Sequence, residues 1–211
     1  MMIIAIDGPA AAGKGTLAKR LAAALGLPYL DTGILYRATA KRVLEAGADP
    51  ADPKAALAAA QALEQADLAR TDLRDPATSR AASQVASLPA VRQALLAFQR
   101  QFGNAHGAVL DGRDIGTIIF PQADVKLFVT ASLEARAQRR HAELSGRGDT
   151  VTLAEVLADL SARDEADRTR AAAPLIPAPD AKIFDTTTMD ADAAFAAALA
   201  LVRAHEPERQ A

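Results

Sequence analysis

Short apolar runs alternate with longer stretches in which apolar positions recur every three or four residues. The short runs lie at 2–6, 28–30, 108–110, 125–129 and 182–184. They lack the in-out alternation of a half-solvated sheet, the pattern of strands buried on both faces. The helical stretches fall at about 14–25, 34–46, 53–66, 76–86, 89–102, 132–144, 152–167 and 190–205. Strands separated by helices predict an α/β fold of three layers, α/β/α, around a central parallel five-stranded sheet. Right-handed crossovers then gather every strand's C-terminal end on one edge, where ligands bind. Two regions depart from the alternation. Residues 34–105 are a long, mostly helical stretch between two strands, and 145–150 (SGRGDT) are a Gly-rich polar break between charged helices. Such interruptions are where a substrate-binding subdomain and a lid would sit.

Composition narrows the chemistry. The chain has 211 residues, no Cys and three scattered His, which excludes disulfides, thiolate catalysis and Cys-ligated zinc and argues against a His-based metal site. The formal net charge is −2 and aromatic residues are 4% of the chain, so a nucleic acid polymer is not the expected partner. The N-terminal apolar stretch is interrupted at Asp7 and lacks a basic leader. No window approaches 18 uninterrupted apolar residues. The expectation is a cytoplasmic protein with no membrane span, and a monomer, since no exposed apolar stripe is evident.

Gly8-Pro9-Ala10-Ala11-Ala12-Gly13-Lys14-Gly15-Thr16 follows a strand and opens a helix. In that setting Gly8 and Gly13 let the backbone curl so that successive N–H groups face a phosphate chain, and the helix start directs its positive end there. Lys14 adds a charge for the β and γ phosphates, and Thr16 a hydroxyl near the metal. The segment is a P-loop for a nucleoside triphosphate, most simply ATP with Mg²⁺. Gly15 occupies the usual Ser/Thr slot, so metal contact through Thr16 is expected to be indirect. This GKGT form resembles that of nucleoside monophosphate kinases such as adenylate kinase.

A phosphate acceptor should leave anion-binding groups elsewhere, and four arginine-bearing segments qualify. In Asp31-Thr32-Gly-Ile-Leu-Tyr36-Arg37, Thr32 reads as an N-cap, and Arg37 is either an exposed helical arginine or a grip on a monophosphate. In Asp111-Gly-Arg113-Asp114 two carboxylates flank an arginine directly after a strand. This is either a tight acidic turn or a site where Arg113 forks onto a phosphate and a carboxylate accepts from a base amine. Arg163, Asp167 and Arg170 are spaced to share one helix face, as surface ion pairs or as part of a site. Arg139 and Arg140 sit on the helix before the Gly-rich break and point different ways. On a lid, such arginines can neutralise transferring phosphates.

Taken together, GPAAAGKGT, LDTGILYR, AASQVASLPAVR, DGRDIGTIIFP and RDEADRTRAAAPL resemble the bacterial cytidylate kinases in order and spacing over most of the chain. The resemblance implies one kinase domain over 1–211. Its core would be about 1–33, 106–138 and 160–211, its NMP-binding region about 34–105 and its lid about 139–159. It implies phosphorylation of CMP or dCMP by ATP; direct in-line transfer is expected, with Lys14, Arg113, Arg139 and Arg140 acting on the transferring phosphates. By the same resemblance Ser83, Arg92 and Asp114 would read cytosine. Arg37, Arg113 and Arg170 would hold the acceptor phosphate, Arg163 and Asp167 the ribose hydroxyls, and Thr32 would line the acceptor site. Other acceptors (UMP, AMP or a shikimate-like molecule) and a P-loop ATPase or switch are the alternatives. Longer members carry a β-rich insertion before the ASQV segment. Here only 67–75 occupies that place, too short for several paired strands, so the acceptor region is expected to be mostly helical.

Overall fold

A computed structural model describes residues 1–205, so the last six residues of the predicted core segment 160–211 lie outside the described residues. Five strands, β1 (Ile3–Asp7), β2 (Tyr29–Asp31), β3 (Ala108–Gly112), β4 (Val125–Thr130) and β5 (Lys182–Asp185), form one parallel sheet in the order β2-β3-β1-β4-β5. Strand periodicity explains the layers. Ile4 and Ile6 face one side, where α1 (Lys14–Leu25) and α9 (Ala191–Arg203) contribute Leu17, Leu21, Ala198 and Val202. Ala5, Leu30 and Leu110 face the other, against Leu96 and Phe102 of α6 (Pro89–His106). The three-layer arrangement expected from the alternation is present.

Between β2 and β3 the chain is helical throughout: α2 (Thr32–Glu45), α3 (Pro53–Gln61), a single turn α4 (Gln65–Leu68), α5 (Pro76–Ser87) and α6. These helices bury a separate apolar cluster around Leu35, Val43, Val85, Val91 and Leu95. Beyond β4, α7 (Leu133–Gly146) and α8 (Leu153–Thr169) form a hairpin that packs Leu144, Val156 and Leu160 around Ala10 of the phosphate loop. No helix among the described residues is long and apolar enough to cross a membrane.

Several expected boundaries shift. The helix predicted over 53–66 stops after Gln61 and restarts at Gln65, where Glu64 and Asp67 form a capping box. The polar break predicted at 145–150 begins later, because α7 runs to Gly146. Thr32 is not the cap of α2 but its first residue. Asp31 takes the cap position, while Thr32 Oγ1 donates to the Asp111 carbonyl at 2.9 Å. A π-helical turn, Ile115–Ile119, follows β3 where no helix was expected. Asp7 explains it: its two carboxylate oxygens accept from the backbone N–H groups of Ile115 and Gly116, each at 2.8 Å.

Candidate active site

The strand register brings the acidic ends of β1, β2 and β3 level with one another. Ile6 pairs with Asp111, Asp7 with Gly112, and Asp31 with Asp111. Above this edge opens a cleft of about 850 Å³, walled by the phosphate loop, α2, α5, the turn after β3, and α7 and α8. That volume is at the upper end of the usual range for small-molecule sites.

On the donor side, Gly8 has φ +145°, and a Cβ there would lie 1.9 Å from the Val129 carbonyl, so only glycine lets β1 turn into the loop. Gly13, at φ +87°, caps α1 and leaves the helix start open toward the cleft. Lys14 is buried, and its Nζ donates to the Pro9 carbonyl at 2.6 Å across the loop. Burial and the nearby Arg113 depress its pKa to about 7, against the opposing pull of Asp111 and Asp7. Thr16 is exposed at the cleft wall. Asp111 reaches the same place: the Tyr29 hydroxyl donates to its Oδ1 at 2.9 Å, and its Oδ2 lies 3.6 Å from where a Cβ on Gly15 would stand. Burial and Asp31 push the Asp111 carboxyl upward, while Lys14 and Tyr29 draw it back. Asp7 is likewise raised by burial, to about 6.

Across the cleft stand Arg37, Arg92, Arg113, Arg163 and Arg170, brought together from α2, α6, the turn after β3, and α8 with its end. Arg113 Nε donates to Asp167 Oδ2 at 2.7 Å. Burial opposes the charge of Arg113, but Asp167 more than offsets this and raises its pKa. Burial pushes the Asp167 carboxyl up, and Arg113 and Arg163 together hold it below the ordinary range. Arg163 is depressed to about 10 by burial and by Arg113 facing it, and burial depresses Arg37 and Arg170 as well. Arg37 Nε, Arg163 Nε and Arg170 Nη2 are buried donors with no hydrogen-bond acceptor among the described residues. Arg170 is the cap of α8 rather than a helical residue, yet its Nη2 stays 4.0 Å from Asp114 Oδ1.

Arg92 pairs with Asp114, donates to the Ala86 carbonyl at 3.2 Å and lies over the Tyr36 ring at 5.5 Å. Ser83 lines the same wall from α5, and Thr32 lines it deeper. Arg140 faces the cleft from α7 and pairs with Glu143 at 2.8 Å. Arg139 does not face it. Its guanidinium donates to Thr186 Oγ1 at 3.1 Å, to the Thr186 carbonyl and to the Met189 carbonyl at 3.2 Å, in the loop after β5. The expected phosphate contact from Arg139 is therefore corrected: one residue's rotation on α7 separates it from the cleft-facing Arg140.

Sequence reasoning passed over several residues that shape the site. Asp7, Tyr29 and Arg74 have already been placed there or line the cleft wall, and Asp111, expected only as a carboxylate flanking Arg113, also reaches the phosphate loop. Arg136 is buried on α7 and binds the Ala10 carbonyl at 3.2 Å and both oxygens of Asp164 on α8, at 3.1 and 2.6 Å. It ties the phosphate loop to both helices of the hairpin. The available signal for Asp7 and Asp111 was their place at strand ends on the ligand edge; Arg136 and Arg74 look like ordinary surface arginines in sequence.

Known proteins match over nearly the whole chain. The family model described as Cytidylate kinase matches residues 4–204. A curated Cytidylate kinase from Acidiphilium cryptum is 65% identical over 95% of this chain and 95% of its own. Another from Granulibacter bethesdensis is 58% identical over 98% and 99%. Among solved structures, an uncharacterized protein from Eubacterium ventriosum matches with TM-score 0.56 at 15% identity, over 96% of this chain and 99% of its own. A Thermus thermophilus protein matches with TM-score 0.51 at 22% identity, over 97% of both chains. At those identities the structures speak for the fold.

Proposed function

The chain belongs to the cytidylate kinase family, and on that premise we propose that its cleft transfers the γ-phosphoryl group of ATP to CMP or dCMP, giving ADP and CDP or dCDP. The observation that carries the site assignment is the set of buried guanidinium donors opposite the phosphate loop that have no acceptor among the described residues. A buried cation with an unmet donor is costly until an anion arrives, and a planar fork suits phosphate oxygens. Arg37, Arg113 and Arg170 take the acceptor phosphate, with Thr32 lining its pocket; Arg163 and Asp167 lie toward the sugar.

Transfer is direct. An acceptor phosphate oxygen attacks Pγ in line, the new P–O bond forms as the Pγ–O bond to the ADP leaving group breaks, and no side chain becomes covalently modified. Lys14, Arg113 and Arg140 offset charge on the transferring group. The residues around Gly15 fit a magnesium ion: Asp111 offers a carboxylate where the Ser/Thr slot of the loop is glycine, and Thr16 offers a hydroxyl nearby. When bound, the ion neutralises donor phosphate charge.

Cytosine is read by Ser83, Arg92 and Asp114. Asp114 accepts from the exocyclic amine, and Arg92 donates to the ring acceptors. The carbonyl of uracil would face the same carboxylate acceptor to acceptor, which selects against UMP. The helical region 34–105 carries the acceptor and the α7–α8 hairpin acts as the lid, closing to exclude water. We take the enzyme to be a cytoplasmic monomer, acting where both nucleotides are available. Steady-state kinetics of Arg170→Gln test the acceptor wall. A raised KM for CMP with an unchanged KM for ATP is expected, and an unchanged KM for CMP would overturn the assignment.

A further inference from the structure

Asp31 holds the cap position of α2, yet its carboxylate makes no cap hydrogen bond. Its Oδ2 instead accepts from two arginines, Arg37 Nη2 at 2.6 Å and Arg74 Nη2 at 2.9 Å. The pair with Arg37 folds over the bare backbone of Gly33, where a Cβ would stand 2.9 Å from Arg37 Nη1 and 3.0 Å from Asp31 Oδ1. Arg37 Nε is buried without an acceptor among the described residues. Asp31 is thus an anion set beside the guanidinium assigned to the acceptor phosphate, competing with that phosphate for the same donors.

Arg74 is placed to moderate this competition. Its backbone is fixed on both sides: Leu73 is 2% exposed, and Asp75 caps α5 through the Thr78 N–H at 2.8 Å. Its side chain reaches the cleft from the short segment that precedes α5.

We propose that Arg74 is a positioning residue for the acceptor: by sharing Asp31 Oδ2 it weakens the hold of Asp31 on Arg37 Nη2 and leaves the remaining Arg37 donors for the incoming phosphate. This rests on the assignment of Arg37 to the acceptor phosphate. A carboxylate shared by two cations binds each less completely than one cation held alone.

The test compares steady-state kinetics and melting curves of Arg74→Gln, Arg74→Lys, Arg37→Gln and the double variant Arg74→Gln/Asp31→Asn. Arg74→Gln should raise the KM for CMP roughly fivefold, the upper range for a half-exposed ion pair, with kcat and the KM for ATP little changed. Arg74→Lys keeps the charge and should restore most of the loss. Removing the competitor in the double variant should bring the KM for CMP back to within about twofold of the parent. An unchanged KM in Arg74→Gln overturns the proposal. So does a raised KM that Asp31→Asn fails to relieve, which would make Arg74 a direct phosphate contact. If Arg37→Gln leaves the KM for CMP unchanged, the acceptor assignment itself fails. A raised KM in Arg37→Gln beside a normal one in Arg74→Gln defeats only the role of Arg74.

Discussion

Arg113 Nε donates to Asp167 Oδ2 at 2.7 Å, joining the turn after β3 to the last turn of α8, 54 residues further along the chain. Asp167 is buried and Arg113 half-buried, and Arg163 and Arg170 crowd the same carboxylate. Asp167 is the anion that lets these arginines share one wall before any nucleotide arrives. Removing one member of a buried charge cluster usually costs about 3–5 kcal/mol. Asp167→Asn should therefore destabilise the ligand-free protein by about that amount in denaturant unfolding. CMP should recover more of the melting temperature in the variant than in the parent, since its phosphate supplies the missing negative charge. Equal stability would show that the arginines do not depend on Asp167.

Lys14 stands in the opposite situation. Burial and Arg113 disfavour its charge, and its present contact is a single backbone carbonyl. Lys14→Met should leave the ligand-free fold as stable as the parent or slightly more so, while turnover falls by about two orders of magnitude or more. Paired measurement of unfolding and kcat checks both halves. Near-normal turnover would remove the phosphate-loop assignment.

Asp114 is expected to set base choice. Asp114→Asn can turn an amide N–H toward a carbonyl, so the ratio of kcat/KM for UMP over CMP should rise by about tenfold or more, chiefly through loss on CMP. Competition assays with both nucleotides measure this ratio directly, and an unaltered ratio would take Asp114 out of base reading.

Asp7 gives a pH dependence with a definite sign. Its folded pKa is raised to about 6 by burial, from an ordinary 3.8, so the folded state holds the proton more tightly than the unfolded one. Its contribution to stability is fully present below about pH 4 and is lost as pH rises to 6, an order-of-magnitude change of about 3 kcal/mol. Relative to Asp7→Asn, the parent should lose about that much stability between pH 4 and 7. A difference that stays constant with pH would contradict the burial argument. The variant also removes one acceptor from the Ile115–Gly116 turn, which shifts its stability at every pH without altering the slope.

Much of this arrangement is legible in the sequence because it is local or repeats with a fixed period. The apolar strands, the loop at 8–16 and the carboxylates flanking Arg113 need only neighbouring residues to be recognised, and the sheet edge then brings them level. Arg113, Arg163 and Arg170 could be grouped because spacing on α8 and the end of β3 limit where they can point. What was hidden depends on distant partners. The π turn at Ile115–Ile119 is held by Asp7, 108 residues earlier. Arg139 differs from Arg140 only because the Thr186–Met189 loop lies on its side of α7. Arg74 acquires its place from Asp31, 43 residues away. Ser83 and Arg92 carry no local signal, and only the family resemblance singled them out.

The most direct measurement of the central claim is the initial rate of ATP-dependent phosphorylation with CMP, dCMP, UMP and AMP, each over a full concentration range. The arrangement of Ser83, Arg92 and Asp114 opposite the phosphate loop predicts CMP and dCMP as the efficient acceptors, with UMP and AMP lower by about an order of magnitude or more in kcat/KM. Equal efficiency on CMP and UMP, or ATP hydrolysis indifferent to every acceptor, would contradict it.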